Sequence, residues 1–546
     1  MKPSALPART LSEALSVAAR AAGDRLALVC GDRRIHYPEL DAEASWVAAA
    51  LLARGLHRGD RVALLFPTGW DGVRMFFGVT RAGMVAVPVD PVVRPRELRR
   101  VLADAAPAAI VSTDRVATND LVTVLGEVRD APGCPKLILF TAGDPPPWAW
   151  RFEHVEPAGR VDEPGGELDD VAAIFYTSGT TGVPKGVTHT HGSLLESFLA
   201  MHELQQDYFA GSPAQVLRRG LSLLRRYRGS LLRGFGWQTW LTALPGYRIA
   251  GFRVVLNCLL SGHRLVLMSR FNPRAALALI DRERVSVLAT SPSMLEAILR
   301  VTDLSRYQMS SLTVVGLGAA PANPGTVRRA RELLRCPVVV GYGSTETGGG
   351  VLVTRLEDSD EQMAQTVGRP FPGVEVRIVD EHRRPVPPGE VGELACRSPG
   401  LMTCYRGDPD GTAAVVDGEG WYYTGDLAVQ DRQGYVRIDG RTRDLIIRGG
   451  HNVVPTEVEA VLEEHPTVSR AAVIGLPDPL AGEIICAFVA ARNGTVDLAA
   501  VRRYCAERLA PYKLPDQLRV TAELPVSDTG ELARSVLRDE ALQDRR

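Results

Sequence analysis

Three glycines, four aliphatic hydroxyls and a lysine fall within Phe175-Tyr-Thr-Ser-Gly-Thr-Thr-Gly-Val-Pro-Lys-Gly186. Gly179 and Gly182 let the backbone curl so that successive N–H groups face one anion, and Thr177, Ser178, Thr180, Thr181 and Lys185 add donors around it. The run follows an apolar stretch, Val171-Ala-Ala-Ile-Phe175. It therefore reads as a phosphate-binding loop leaving a strand. Glycine, not Ser or Thr, follows the lysine, and the glycine spacing differs from the G-x-x-x-x-G-K-[ST] loop, so the large P-loop class is excluded. A second polar run, Gly341-Tyr-Gly-Ser-Thr-Glu-Thr347, follows the apolar Cys336-Pro-Val-Val-Val340.

Such loops need rigid strands to hold them. From about residue 11 to 300, short β-rich runs (61–65, 109–112, 136–140, 264–268) alternate with amphipathic helical stretches such as 39–55 and 96–105. That alternation predicts an α/β fold of doubly wound, mostly parallel sheets. From about 367 to 440, short strands and Gly/Pro/Asp turns predict a β-rich subdomain. Beyond it, strands at 444–448, 470–475 and 484–490 with helices at 455–465 and 497–509 predict a small α+β domain. The expected division is 1–440, including the β-rich part, and 441–546.

Composition bounds the function class. The chain has 546 residues, 45% apolar and 23% charged, with net charge −1. That length suits several domains, and the balance gives no reason to expect nucleic acid or an anionic membrane as partner. Eight scattered cysteines without a C-x-x-C pair read as reduced thiols, and no window has 18 uninterrupted apolar residues. The expectation is a cytoplasmic enzyme or binding protein without a membrane span. An arginine-rich run, 217–233, holds six arginines and no acid. It reads either as a solvated helix face or as a docking site for an anionic partner.

Taken together, these motifs resemble the adenylate-forming superfamily of acyl-CoA synthetases, nonribosomal-peptide adenylation domains and luciferases. The similarity runs from Tyr37-Pro-Glu-Leu40 to about residue 538. The resemblance implies that Tyr342 stacks on adenine, Thr345 bonds the α-phosphate and Glu346 holds Mg²⁺ when ATP is used. Those roles suit a flat ring, a hydroxyl and a hard oxygen. It further implies that Asp426, within Trp421-Tyr-Tyr-Thr-Gly-Asp-Leu427, accepts the ribose hydroxyls. Arg441 would contact ribose and phosphate, and Arg443 would sit at the pivot of a mobile C-terminal domain. Gly449, Gly450 and His451 would line the tunnel for the pantetheine arm of CoA, where glycine admits a thin thiol chain. Gly318, Ala319, Ala320 and Gly343 would floor an acyl pocket, and glycines and alanines around 316–320 and 348–350 suggest that it is roomy. Arg248 stands where the family usually has histidine or an aromatic residue. Such an arginine can face an anionic acyl substituent, a phosphate or solvent.

The sharpest departure is Glu531 in Val526-Ser-Asp-Thr-Gly-Glu-Leu532. The family normally carries there a lysine that meets the reacting carboxylate and the α-phosphate during adenylation. A carboxylate reverses that charge, while the AMP-binding and tunnel motifs are kept. The resulting expectation is an enzyme that takes a ready-made acyl-adenylate, supplied by a separate adenylating enzyme, and passes the acyl group to CoA. The alternatives are a complete ATP-dependent ligase in which Lys513 or Arg534 replaces the lysine, and a non-catalytic acyl-AMP-binding protein.

Overall fold

The computed structural model describes residues 8–155, 159–177, 184–207, 212, 216–218, 220–221, 223, 227, 236–320, 322–441, 444–448, 451–478, 482–492, 496–509, 513–526 and 532–544. The chain forms two compact units. The first comprises Met1–Ala364, Arg369–Glu375 and Arg397–Gly420; the second comprises Gln365–Gly368, Val376–Cys396 and Trp421–Arg546.

In the first unit the apolar runs become parallel strands buried on both faces, as expected when helices cover a sheet on either side. One sheet has eight strands. Its parallel centre is Arg61–Leu65, Val85–Val89, Ala109–Ser112 and Leu137–Phe140. A nine-stranded sheet is built around Thr239–Thr242, Arg264–Leu267, Val287–Thr290 and Val314–Leu317, all parallel. Predicted and observed elements agree closely; the helix expected at 39–55 spans Tyr37–Ala53 and that at 96–105 spans Pro95–Ala105.

Helices Trp70–Arg81 and Ile249–Leu260 each bury nearly their whole circumference. Phe252 joins them to the eight-stranded sheet, with ring centroids 4.4 Å from Phe76 and 5.2 Å from Phe175. Local chemistry marks several helix starts. Asn272 and Ser291 cap helices whose next residue is Pro273 or Pro292, and their side chains accept from Ala275 N and Met294 N. Each such cap contributes about 1 kcal/mol, and proline at the first helical position gives up no needed donor.

The second unit contains two sheets. Glu375–Val379, Val391–Arg397, Tyr422–Gln430 and Val436–Arg441 form a four-stranded sheet, where β-rich texture was expected. The C-terminal sheet joins His451–Val453, Ile446–Arg448, Gly482–Ala491, Val468–Asp478 and Gln517–Thr521. Its strand Val468–Asp478 shows the two-residue period of a sheet covered on both faces. Ala471 and Val473 pack in a core with Val458 and Leu462 of helix Pro455–Glu463. Ala472, Ile474 and Leu476 pack in another with Leu537 and Ala541 of helix Arg534–Gln543. All eight cysteines are free thiols. Among the described residues, no helix is long and apolar enough to cross a membrane.

Candidate functional site

The two strands flanking the glycine- and hydroxyl-rich loop pair antiparallel, with Thr177 opposite Lys185. Ser178, Gly179, Thr180, Thr181 and Gly182 lie outside the described residues. At the base of the loop Gly186 is packed closely. A Cβ there would come within 3.0 Å of Asp104 Oδ2 and 3.1 Å of the Tyr176 ring. The Tyr176 hydroxyl donates to that same Asp104 oxygen at 2.5 Å.

Lys185 reaches across to a strand far along the chain. Its ammonium lies 4.4 Å from the Tyr405 ring centroid and 3.5 Å from Asp408 Oδ2. Tyr405 donates its hydroxyl to Glu346 Oε1 at 2.8 Å, and its strand pairs with Lys185–Thr190 through Val187. One tyrosine thus carries the loop lysine on its face and the second motif's carboxylate on its hydroxyl. A ring face attracts a cation and a phenol is a good donor to a carboxylate. Tyr405 and Asp408 carried no sequence signal, because they belong to no recognisable motif.

The second motif is a turn between strands Val338–Ser344 and Gly349–Val353. Thr347 Oγ1 accepts from Ser344 N at 3.0 Å and donates to Gly349 O at 2.6 Å. Met402 N donates to Glu346 O at 2.6 Å. Beneath the turn, His189 is fully buried, with Nε2 2.8 Å from Thr345 O and Nδ1 3.1 Å from Ser193 Oγ. A carbonyl only accepts, so Nε2 carries the proton. Burial presses the His189 pKa down to about 4, and the ring is a neutral strut that holds Thr345 in place. Glu346 keeps a second oxygen beyond the one facing Tyr405. A single carboxylate of this kind fits Mg²⁺, which takes one or two protein oxygens and fills its shell with water and phosphate.

Two acyl-pocket expectations change. The space beside Gly349 and Gly350 is taken by Arg253 of helix Ile249–Leu260: a Cβ on Gly349 would lie 2.4 Å from Arg253 Cδ, and Gly349 has φ +121°. Gly349 and Gly350 therefore make room for an arginine and Gly348 for the carbonyl of Gly400, not for a roomy pocket. Within the other stretch of the expectation, 316–320, a Cβ on Gly316 would meet nothing within 4 Å. A Cβ on Gly318 would meet only Gly341 O, at 3.8 Å, and Ala319 adopts a left-handed φ of 68°. Gly343 is crossed by Gly349 O, 1.8 Å from where a Cβ would stand, so only glycine fits. Arg248 is paired within the chain, 3.5 Å from Asp90. The sequence reading missed Arg253; the available signal was a lone cation in the otherwise apolar helix Ile-Ala-Gly-Phe-Arg-Val-Val-Leu.

In the second unit, Asp426 is 9% exposed and its Cα lies opposite Arg441 across an antiparallel pair. Strands Ile446–Arg448 and His451–Val453 pair with Arg448 opposite His451. Arg443, Gly449, Gly450 and Glu531 lie outside the described residues. Both proposed substitute cations hold acids. Lys513 Nζ lies 2.6 and 2.7 Å from the Glu457 oxygens. Arg534 Nη2 lies 2.7 Å from both oxygens of Glu459, with Nη1 3.6 Å from Asp444.

Family models for the AMP-binding enzyme and for the AMP-binding enzyme C-terminal domain match residues 15–406 and 457–531. The 2-hydroxy-7-methoxy-5-methyl-1-naphthoate–CoA ligase of Streptomyces carzinostaticus is 32% identical over 97% of this chain and 93% of its own. The human mitochondrial medium-chain acyl-CoA ligase ACSF2 is 30% identical over 98% of this chain and 88% of its own. Among solved structures, the amide bond synthetase McbA of Marinactinospora thermotolerans superposes with a TM-score of 0.82 at 27% identity, covering 97% of this chain and 99% of that one.

Proposed function

The chain belongs to the adenylate-forming family of AMP-binding enzymes, and from that premise we propose that it is an acyl-CoA ligase working mainly through the thioester half-reaction. The observation that carries the reading is Glu531, the last residue of the C-terminal family match, at the position to which the resemblance assigns an adenylating lysine. In this reading Thr177 to Gly182, Lys185, Tyr342 and Thr345 hold the AMP part of an acyl-adenylate. Asp426 and Arg441 hold its ribose, and the part beyond residue 440 rotates to present the segment around Gly449, Gly450 and His451 to CoA. The CoA sulfur attacks the acyl carbonyl, the new C–S bond replaces the C–O bond to phosphate, AMP leaves with the electron pair, and the thiol proton passes to solvent. Oriented donors around the leaving phosphate are what the phosphate loop, Lys185 and Thr345 supply.

Magnitudes favour a selective defect. A charge pair about 4 Å apart is worth roughly 4 kcal/mol at an effective dielectric near 20, so losing the lysine slows adenylation on the order of 10³-fold. Reversing the charge adds repulsion. Lys513 and Arg534 are held by Glu457 and Glu459, which supports the view that neither fills the gap. The rival is a complete ATP-dependent ligase, favoured by the retained Glu346, which a thioester-only enzyme does not need for magnesium.

Two incubations separate the readings: candidate acids with ATP and CoA, and synthetic acyl-AMP with CoA. Thioester from acyl-AMP alone is expected. Robust ATP-dependent turnover or pyrophosphate exchange would sink the thioester-only reading. Tight acyl-AMP binding with no product from either tube would identify a binding protein. Glu531→Lys is expected to restore measurable pyrophosphate exchange.

A further inference from the structure

Among the described residues, the two buried arginines other than Arg253 are met by acids, as is the largely buried Arg331. Arg74 faces Asp71, Glu43 and Glu153; Arg81 faces Asp41; Arg331 faces Asp360. Arg253, 8% exposed, has only neutral acceptors among the described residues. Its Nη1 donates to Ser197 Oγ at 2.7 Å and Gly350 O at 3.1 Å, and Nη2 donates to Ser197 O at 3.2 Å. The guanidinium carbon lies 5.3 Å from the Phe371 ring centroid. Residues 208–235, much of which lies outside the described set, contain no aspartate or glutamate.

A guanidinium withdrawn from water without an anion is unfavourable, and a well-placed anion is what relieves it. The fold makes room for this charge deliberately, since Gly349 and Gly350 lack the side chains that would collide with it. Gly350, whose carbonyl accepts from Arg253, pairs with Gly343 across the two strands, so the arginine lies against the glycine-rich strand pair that carries Gly343. Arg248, the cation that the sequence pointed to, is already neutralised by Asp90.

We infer that Arg253 is a specificity residue for an acyl group bearing a second carboxylate, remote from the carboxyl joined to AMP. A guanidinium fork matches a carboxylate in two parallel hydrogen bonds, which a neutral ester or methyl group cannot return. The inference rests on the acyl-adenylate reading above for the location of the acyl group, but not on which half-reaction the enzyme performs.

The test uses non-hydrolysable acyl-sulfamoyl adenosines carrying glutaryl, adipoyl or phthaloyl groups, each beside its distal methyl ester. Binding is measured by calorimetry on the full chain and on Arg253→Met and Arg253→Lys. In the unaltered protein, at least one free acid is expected to bind about tenfold or more tighter than its ester, as close charge pairs at interfaces do. Arg253→Met should erase the preference and Arg253→Lys should keep part of it. Tighter or equal binding of every ester overturns the inference, as does an unchanged preference in folded Arg253→Met. If that variant does not fold, the acid-to-ester ratio of the unaltered protein and of Arg253→Lys decides. Good thioester yield from ester-bearing acyl-AMPs, with no acid preference, would leave the ligase reading standing and remove only Arg253's role. Acid preference without any thioester product would do the reverse.

Discussion

Arg534→Met tests whether this arginine anchors the C-terminal fold or serves as the missing cation. Glu459 is 7% exposed, and Arg534 Nη2 lies 2.7 Å from both of its oxygens. Val473 N donates to Oε1 at 2.8 Å. Removing the arginine leaves a buried carboxylate without its counter-ion, a change that costs about 3–5 kcal/mol when the charge stays. Protonation limits the loss. Desolvation already raises the Glu459 pKa above the ordinary carboxylate range, with Arg534 as the largest opposing influence. A carboxyl whose folded pKa is raised binds more protons folded than unfolded, so its contribution is present below the unfolded pKa and is lost as pH rises through the folded value. Without Arg534 the folded value rises further. The Arg534→Met deficit should therefore be small near pH 4.5, grow as pH rises, and reach its full size near pH 8. Urea unfolding at several pH values measures it, and adding Glu459→Gln should recover part of the loss, because the two sites are coupled. The same samples are assayed for pyrophosphate exchange and for thioester formation from acyl-AMP. A variant as stable as the parent at pH 8 that has lost exchange the parent performs would refute the anchoring argument and make Arg534 the substitute for the lysine.

Gly349→Ala should destabilise the first unit by about 2 kcal/mol or more, through collision with Arg253 and a left-handed φ, and Arg253→Met should relieve much of it; thermal unfolding of the single and double variants reads both. Tyr405→Phe removes the 2.8 Å bond to Glu346 while keeping the ring beneath Lys185. A hydrogen bond to a charged group is worth about 1.5–3 kcal/mol, so the Mg²⁺ dependence of ATP binding should weaken by about tenfold, and no change would separate Glu346 from any metal. Burial holds His189, His191 and His263 near pKa 4 against an ordinary 6.5. The stability these neutral rings contribute is present above pH 6.5 and lost as pH falls towards 4, since unfolding then takes up protons. Urea midpoints that stay flat over that range would contradict their neutrality.

Much of this protein was readable from its residues alone. Parallel strands at 61–65 and 109–112 announced themselves because a strand covered on both faces must be continuously apolar. The phosphate loop and the Tyr342–Thr347 turn were visible because glycine, hydroxyl and carboxylate chemistry is local and compressed into a few positions. The expectation placed on Glu531 belongs to the same category, since it needs only the residue's identity and the resemblance of the flanking motifs.

What tertiary structure decided is which distant groups meet. Tyr405 bridges Lys185 and Glu346 only because strand Cys404–Tyr405 pairs with Lys185–Thr190. Arg248 and Arg253 look alike in sequence, five residues apart. Among the described residues, the fold gives Asp90 to the first and only neutral acceptors to the second. Lys513 and Arg534 stood equal as replacement cations until their pairing with Glu457 and Glu459 was seen. Composition and spacing state which charges a chain owns. Whether a charge is spent on a neighbour or left for a substrate depends on three-dimensional neighbours that no local pattern encodes.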